Sequence, residues 1–241
     1  KNGKHILVEK SITLNSAELD EIMILAEEKG LVMAEAMTIY HMPLYKKLRE
    51  ILDAGTLGKV NLLTMNFGSF KEYDENNRFF NRNLAGGAML DIGVYALSFV
   101  RWFLDSKPDQ LLSQVRTAST GVDEQSGLLL TNQEGQMATV MLSLHSKQPK
   151  RGMISCERGY IEIMEYPRAG EAKVTYTDTG KTEIIEAGDN ADALYYEVLD
   201  MEHAIISGDV SAMQLGFSKD VMDLMTAFRK EWGVSYPEEE R

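Results

Sequence analysis

The sequence predicts a parallel βαβ unit followed by an α+β region whose largely antiparallel open sheet is covered by helices on one face. Three observations carry that prediction. Apolar runs at 4–10 and 31–37 flank a helical pattern with short joints, the mark of one right-handed βαβ unit. From Leu111 to about Ile185, short β-rich segments follow one another through the turns "NQEG", "ERG" and "DTG", which means hairpins and antiparallel pairing. Helical patterns then return around 191–207 and over 216–232.

In order along the chain, "GKHILVEKSITLN" (3–15) opens as a fully buried strand whose tip carries the charged pair Glu9-Lys10. Asn15 caps a helix with Glu18 as its capping-box partner. Leu19, Ile22, Met23 and Ala26 share one face of that helix, which stops at Lys29-Gly30. "LVMAEAM" is a second buried strand. Pro43 begins the next helix, with Leu44, Leu48, Ile51 and Leu52 at helical spacing. "KVNLLTMNFGSF" (59–70) is strand-like, and the polar stretch 71–87 is expected to fold onto the rest through its aromatics. "AMLDIGVYALSFVRWFL" (88–104) reads as a strongly apolar helix. The change of sheet type divides the chain into 1–40 and 41–241. A βαβ unit of about forty residues is too small to bury both faces of a parallel sheet, so 1–40 is expected to be the tail of a larger domain.

Composition narrows the function. Hydrophobic residues make up 44% of 241 residues, enough for a sizeable core. The net charge of −12 argues against a nucleic-acid or anionic-membrane surface, though not against a locally positive site for one phosphate-bearing cofactor. The single cysteine, Cys156, excludes an internal disulfide and fits a reducing compartment, with the cytoplasm as the expected location. No apolar run is expected to reach membrane-spanning length. The four histidines lack metal-ligand spacing, so no metal is expected. The sequence has no P-loop, no G-x-S-x-G and no G-x-G-x-x-G.

Three residues stand out chemically. Lys10 follows a buried strand at its carboxyl end, the edge where open α/β sheets bind ligands. Alone it reads more readily as a solvated partner of Glu9. Asp91 and Tyr95 are four apart and share one face of an apolar helix, behind the permissive pair Gly86-Gly87. Singly they are a first-turn acid and a core aromatic. Together, the three offer a cation, a carboxylate and a phenol around one small-molecule oxygen, a constellation for proton transfer. His41, at a second carboxyl edge, and His145, ending a strand, are weaker substrate contacts.

The segments "GKHILVEKSITLN", "AEEKGLVMAEAM", "LREILDAGTLGKV", "GGAMLDIGVYALSFVRWFL", "TGVDEQ" and "LGFSKDVMDLMTAFRKEWGVSYP" resemble, in order and spacing, the Gfo/Idh/MocA oxidoreductases. The first resembles their E-K-P motif, and Asp91, Gly93 and Tyr95 match the D-x-G-x-Y of the glucose–fructose oxidoreductase and dimeric dihydrodiol dehydrogenase branch. The resemblance implies that 1–40 is the last βαβ of a Rossmann domain binding NAD or NADP, and that 41–241 is a substrate-binding and dimerisation domain. It implies Lys10, Asp91 and Tyr95 as catalytic residues, with Asp91 supporting Tyr95, and Glu9, Lys10, Thr38 and Tyr40 as cofactor contacts. The partners implied are a sugar, polyol, diol or related small carbonyl compound, and a second copy through the open sheet. Ser11 replaces the motif proline, and "TIYHMP" replaces the Trp and Arg common after "EAM". The expected consequence of the missing glycine-rich turn is a chain lacking most of its nucleotide domain, without tight dinucleotide binding or turnover alone. A non-catalytic regulator on the same fold, or an NAD-assisted glycosidase, are the alternatives.

Overall fold

The computed structural model describes residues 2–240. Strand β1 (Ile6–Glu9) pairs in parallel with β2 (Met33–Ala36), and helix α1 (Ser16–Glu28) crosses between them. The α1 start follows from its sequence. The Glu18 N–H donates to the Asn15 side chain at 3.0 Å, and the Glu18 carboxylate reaches back to the Leu14 N–H at 3.0 Å. Gly30, at φ +60°, lets the chain turn out of the helix. The first strand is not fully buried as expected. Ile6 is 51% exposed, because the pair stands as its own two-stranded sheet and β1 has no second neighbour among the described residues.

After β2 the chain forms a short helix, α2 (Thr38–His41), all of it buried. Helix α3 (Pro43–Asp53) follows, with Leu44, Leu48 and Leu52 on its inner face. Strand β3 (Val60–Gly68) leads through the 71–87 stretch to α4 (Val94–Phe103). Residues Met89–Gly93 form a π-helical turn ahead of α4, so the expected helix over 88–104 begins with a wider turn.

The remaining strands are β4 (Gln110–Thr117), β5 (Asp123–Thr131), β6 (Met137–Ser143), β7 (Arg151–Cys156), β8 (Gly159–Met164), β9 (Glu171–Tyr176) and β10 (Thr182–Glu186). With β3 they make one eight-stranded sheet in the order β10-β9-β8-β7-β3-β6-β5-β4. Each neighbour pair is antiparallel except β3 with β6. Two helices close the chain, α5 (Ala193–Ser207) and α6 (Leu215–Trp232), each stopped by a glycine in the left-handed region.

Alternation along the strands sends Leu63, Val140, Ile154, Ile161 and Val174 to a fully buried face. Helix α4 lies across β3 and β6 and packs against α6, with Phe99 and Phe103 wholly enclosed. The opposite face leaves Leu112, Met141 and Ile184 exposed. One sequence expectation needs correcting here. The stretch Arg82–Phe103 is long and apolar enough by composition to cross a membrane. It serves instead as the central packing element of the fold, with 72% of its most apolar window buried.

Candidate active site

Lys10 and Asp91, 81 residues apart in sequence, meet in space. The Lys10 Nζ donates to the Asp91 carbonyl at 2.6 Å and lies 3.3 Å from its carboxylate. It also sits 5.0 Å from the centre of the Tyr95 ring. Arg78 adds a second cation 3.5 Å from the Asp91 carboxylate. Lys10, Asp91, Arg78 and the Gly86-Gly87 backbone line a cleft of about 170 Å³.

Local structure fixes both halves of this arrangement. On the Lys10 side, the Ser11 hydroxyl donates to the Leu90 carbonyl at 3.1 Å, and the Ile12 N–H donates to Glu35 at 3.1 Å. The other Glu35 oxygen accepts from Ser218 at 2.7 Å, which ties the tip of β1 to α6. Burial pushes the Glu35 carboxyl above its ordinary range. On the Asp91 side, the Met89 N–H donates to Asp123 at 2.6 Å, and Tyr236 donates to the Gly86 carbonyl at 2.7 Å. Gly87 has φ +124°, and a Cβ there would lie 2.3 Å from Asp123 Oδ1, so no side chain fits. Burial raises the Asp123 carboxyl to about 7.

Tyr95 is half-buried, and burial raises its phenol to about 12. Arg168 draws it down, while Glu9, Asp91 and Glu197 push it up. The Tyr95 phenol therefore stays protonated near neutral pH. Arg168 comes from the short helical turn Tyr166–Arg168, which is pinned from below. Thr38 donates to the Pro167 carbonyl, and Tyr45 donates to the Tyr166 carbonyl.

The other expected contacts lie elsewhere. Tyr40 is wholly enclosed, its ring 5.8 Å from Trp102 and 6.0 Å from Phe217, so it is a core residue rather than a cofactor contact. Thr38 is buried too, its hydroxyl spent on Pro167; it positions the Arg168 turn instead of facing a cofactor. His41 is buried in α2, with Nδ1 2.8 Å from Asp200, and does not open on the cleft. His145 is held by Glu124 at 2.6 Å and stacks near Phe80, away from Lys10. Glu9 is exposed at the strand tip, within electrostatic reach of Tyr95. Asp91 does not support Tyr95 as expected; its carboxylate faces Lys10 and Arg78.

Sequence reasoning missed Arg78, Arg168, Glu197 and Glu35. An acid inside the buried run "VMAEAM" was a usable signal for Glu35, since a buried carboxylate demands partners. No spacing connects 168 or 197 to 95.

Residues 45–162 match the GFO/IDH/MocA C-terminal domain. A trans-1,2-dihydrobenzene-1,2-diol dehydrogenase of Xenopus tropicalis is 26% identical over 98% of this chain and 74% of its own length. The scyllo-inositol 2-dehydrogenase (NADP(+)) IolU of Bacillus subtilis is 28% identical over 98% of this chain and 73% of its own. Among solved structures, the Caulobacter crescentus aldose-aldose oxidoreductase complexed with glycerol shares the fold at a TM-score of 0.84 and 19% identity. That match covers 99% of this chain and 71% of the other. A 3-ketoreductase from Actinomadura kijaniata in complex with NADP and TDP-benzene gives a TM-score of 0.82 at 21% identity, over 95% of this chain and 71% of the other. These similarities support a Gfo/Idh/MocA oxidoreductase.

Proposed function

We propose that this chain forms the substrate and nicotinamide end of an NAD(P)-dependent oxidoreductase acting on a sugar, polyol, diol or related small carbonyl compound. The observation that carries the proposal is the Lys10 ammonium, held on the Asp91 carbonyl at 2.6 Å and 5.0 Å from the Tyr95 ring. A cation then stands beside the ring of a phenol at a strand's carboxyl end. On the family resemblance Glu9 and Lys10 would approach the nicotinamide, whereas no G-x-G-x-x-G in the sequence offers a pyrophosphate its cradle.

Nicotinamide, when bound, supplies or accepts hydride at C4. Lys10 donates a hydrogen bond to the substrate oxygen and stabilises negative charge on it. Tyr95 Oη gives the proton to that oxygen in reduction and takes it in oxidation. Asp91 holds the Lys10 ammonium in place. Made in the full-length parent, Lys10→Ala and Tyr95→Phe should each lower NADP-linked turnover of an inositol, aldose and diol panel by roughly 10²–10⁴-fold at saturating cofactor. Unchanged turnover in either variant would sink the assignment.

The division at residue 40 rests on the separate sheets on either side of it. A homodimer through the outer sheet face is supported by the exposed Leu112, Met141 and Ile184. A monomeric mass in sedimentation at micromolar concentration counts against that dimer.

A further inference from the structure

The last turn of the chain is fastened to two separate segments, one on each side of the Lys10–Asp91 pair. Helix α6 stops at Gly233, whose φ of +68° turns the backbone out. Beyond it Tyr236, wholly enclosed, donates from its hydroxyl to the Gly86 carbonyl at 2.7 Å. Arg82 donates to the Ser235 carbonyl at 2.8 Å and to the Ser235 hydroxyl at 3.1 Å, and it pairs with Glu240. Toward the other segment, Glu239 accepts from the Asn15 side chain at 3.0 Å and from the Tyr236 N–H at 2.9 Å. Arg229, in the last turn of α6, donates to Glu239 at 2.9 Å and to the Leu14 carbonyl.

These anchors are not scattered. Leu14 and Asn15 follow Lys10 by four and five residues, and Gly86 precedes Asp91 by five. One turn thus holds both the segment leading from Lys10 and the segment leading to Asp91. It holds them in a costly way. Arg229 is buried, and its Nε has no hydrogen-bond partner. Apolar side chains of the same volume would close that gap at least as well, because a buried ion pair adds little net stability. What the polar network supplies is direction, since each hydrogen bond restricts an angle as well as a distance.

We infer that the C-terminal turn is a positioning strap for the active site. Tyr236 sets the Asp91 side through Gly86, and Arg229 with Glu239 sets the Lys10 side through Leu14 and Asn15. The quantity controlled is the reach of the Lys10 Nζ to the Asp91 carbonyl, 2.6 Å here, and with it the lysine's place beside the Tyr95 ring. The consequence for turnover rests on the oxidoreductase reading; the effect on Lys10 itself does not.

Tyr236→Phe removes one hydroxyl, keeps the ring and alters none of the three reacting residues. Arg82→Ala cuts the more exposed anchor and carries the same comparison if Tyr236→Phe fails to fold; thermal melts decide that. The chain is acetylated briefly with a limiting N-hydroxysuccinimide ester, and the rate at each lysine is read by peptide mass spectrometry. Lys219 is the control. Its side chain is 23% exposed against 16% for Lys10, and it bridges Asp20 of α1 to Asp223 of α6, so it reports undocking of the front unit. Lys10 should be acetylated about fivefold faster in either variant, the worth of one hydrogen bond, with Lys219 unchanged. In the full-length parent the same variants should lower kcat about fivefold and leave KM near its unsubstituted value, because the lysine's bond to the substrate oxygen strengthens as charge develops there. An unchanged Lys10 rate, an unchanged kcat in an active parent, or equal acceleration of Lys10 and Lys219 each overturn the strap. Faster acetylation of Lys10 alone, in a parent without dehydrogenase activity, upholds the strap and fails the oxidoreductase reading. Activity that Lys10→Ala abolishes and Tyr236→Phe leaves intact does the reverse.

Discussion

The β1-α1-β2 unit and the eight-stranded sheet are held together by different forces. The sheet closes over a face of wholly buried aliphatic side chains with Phe99 and Phe103 against it. The front unit leaves Ile6, Ile24 and Leu25 at 40–58% exposure and buries little of its own. It joins the rest through Leu19, Met33 and Ala34 in shared apolar clusters and through a set of polar fastenings: Glu35 to Ser218, Lys10 to Asp91, Ser16 to Thr226, and Arg229 to the Leu14 carbonyl. Apolar packing tolerates small shifts, whereas hydrogen bonds fix direction. Lys10 is thus placed by a directional set of contacts.

The strongest way to break that comparison is to remove one polar fastener and one core ring. Arg229 is 2% exposed, and its NH1 and NH2 each reach Glu239 at 2.9 Å. Arg229→Ala strands that carboxylate and should cost about 3–5 kcal/mol in chemical denaturation. Phe99→Ala should cost a similar amount, roughly 3–5 kcal/mol, by leaving a cavity under the sheet. A loss below about 1 kcal/mol for Arg229→Ala would mean that apolar contacts, not polar ones, hold the front unit.

The next effect is pH-dependent and belongs to Asp123, which caps the turn carrying Asp91. Its folded pKa of about 7 stands above the ordinary 3.8, so the folded state holds the proton more tightly than the unfolded chain. The sign follows. Its contribution is full below about pH 4 and is lost as pH climbs toward about 7, by a few kcal/mol in all. Glu239 works the other way at acid pH, since against its burial the Arg229 guanidinium holds it below its ordinary range. Asp123→Asn should flatten the fall in denaturation free energy between pH 5 and pH 7. An unchanged slope would show that Asp123 ionises without penalty.

How much of this was legible in the sequence depends on whether a signal was local. The Asn15 cap, the Pro43 start and the hairpin turns each sit within a few residues of their cause, and the structure has them. The π turn at Met89–Gly93 did not show, because the residues it meets, Asp123 and Leu142, are distant in sequence. Tyr40 was misplaced for the same kind of reason. A tyrosine after a strand reads as a rim residue until Trp102 and Phe217 are seen to enclose it. Lys10, Asp91 and Tyr95 were grouped on chemistry and resemblance, and they do meet. Arg168 and Glu197 were invisible because helical and strand periods say nothing about which elements face each other.

A smaller effect tests the α1 start. Asn15 caps the helix and also donates to Glu239 at 3.0 Å, so Asn15→Ala should cost about 1–2 kcal/mol. A loss within about 0.5 kcal/mol would leave the capping box with Glu18 as the whole of the helix start.

The smallest expected effect sharpens the contrast most. Ile6→Thr and Val140→Thr replace β-branched residues by another one in strands, so backbone preference hardly changes. What differs is the environment. At position 6 the side chain is 51% exposed, and the new hydroxyl meets water, so the change should fall within about 0.5 kcal/mol. At position 140 the side chain is wholly enclosed between the sheet and α4, and an unpartnered hydroxyl there should cost about 1–3 kcal/mol. Denaturation of both variants in one buffer reads the difference directly. If Ile6→Thr costs as much as Val140→Thr, then β1 is covered in solution by something that packs on it, and the polar fastening of the front unit is not what holds Lys10 in place.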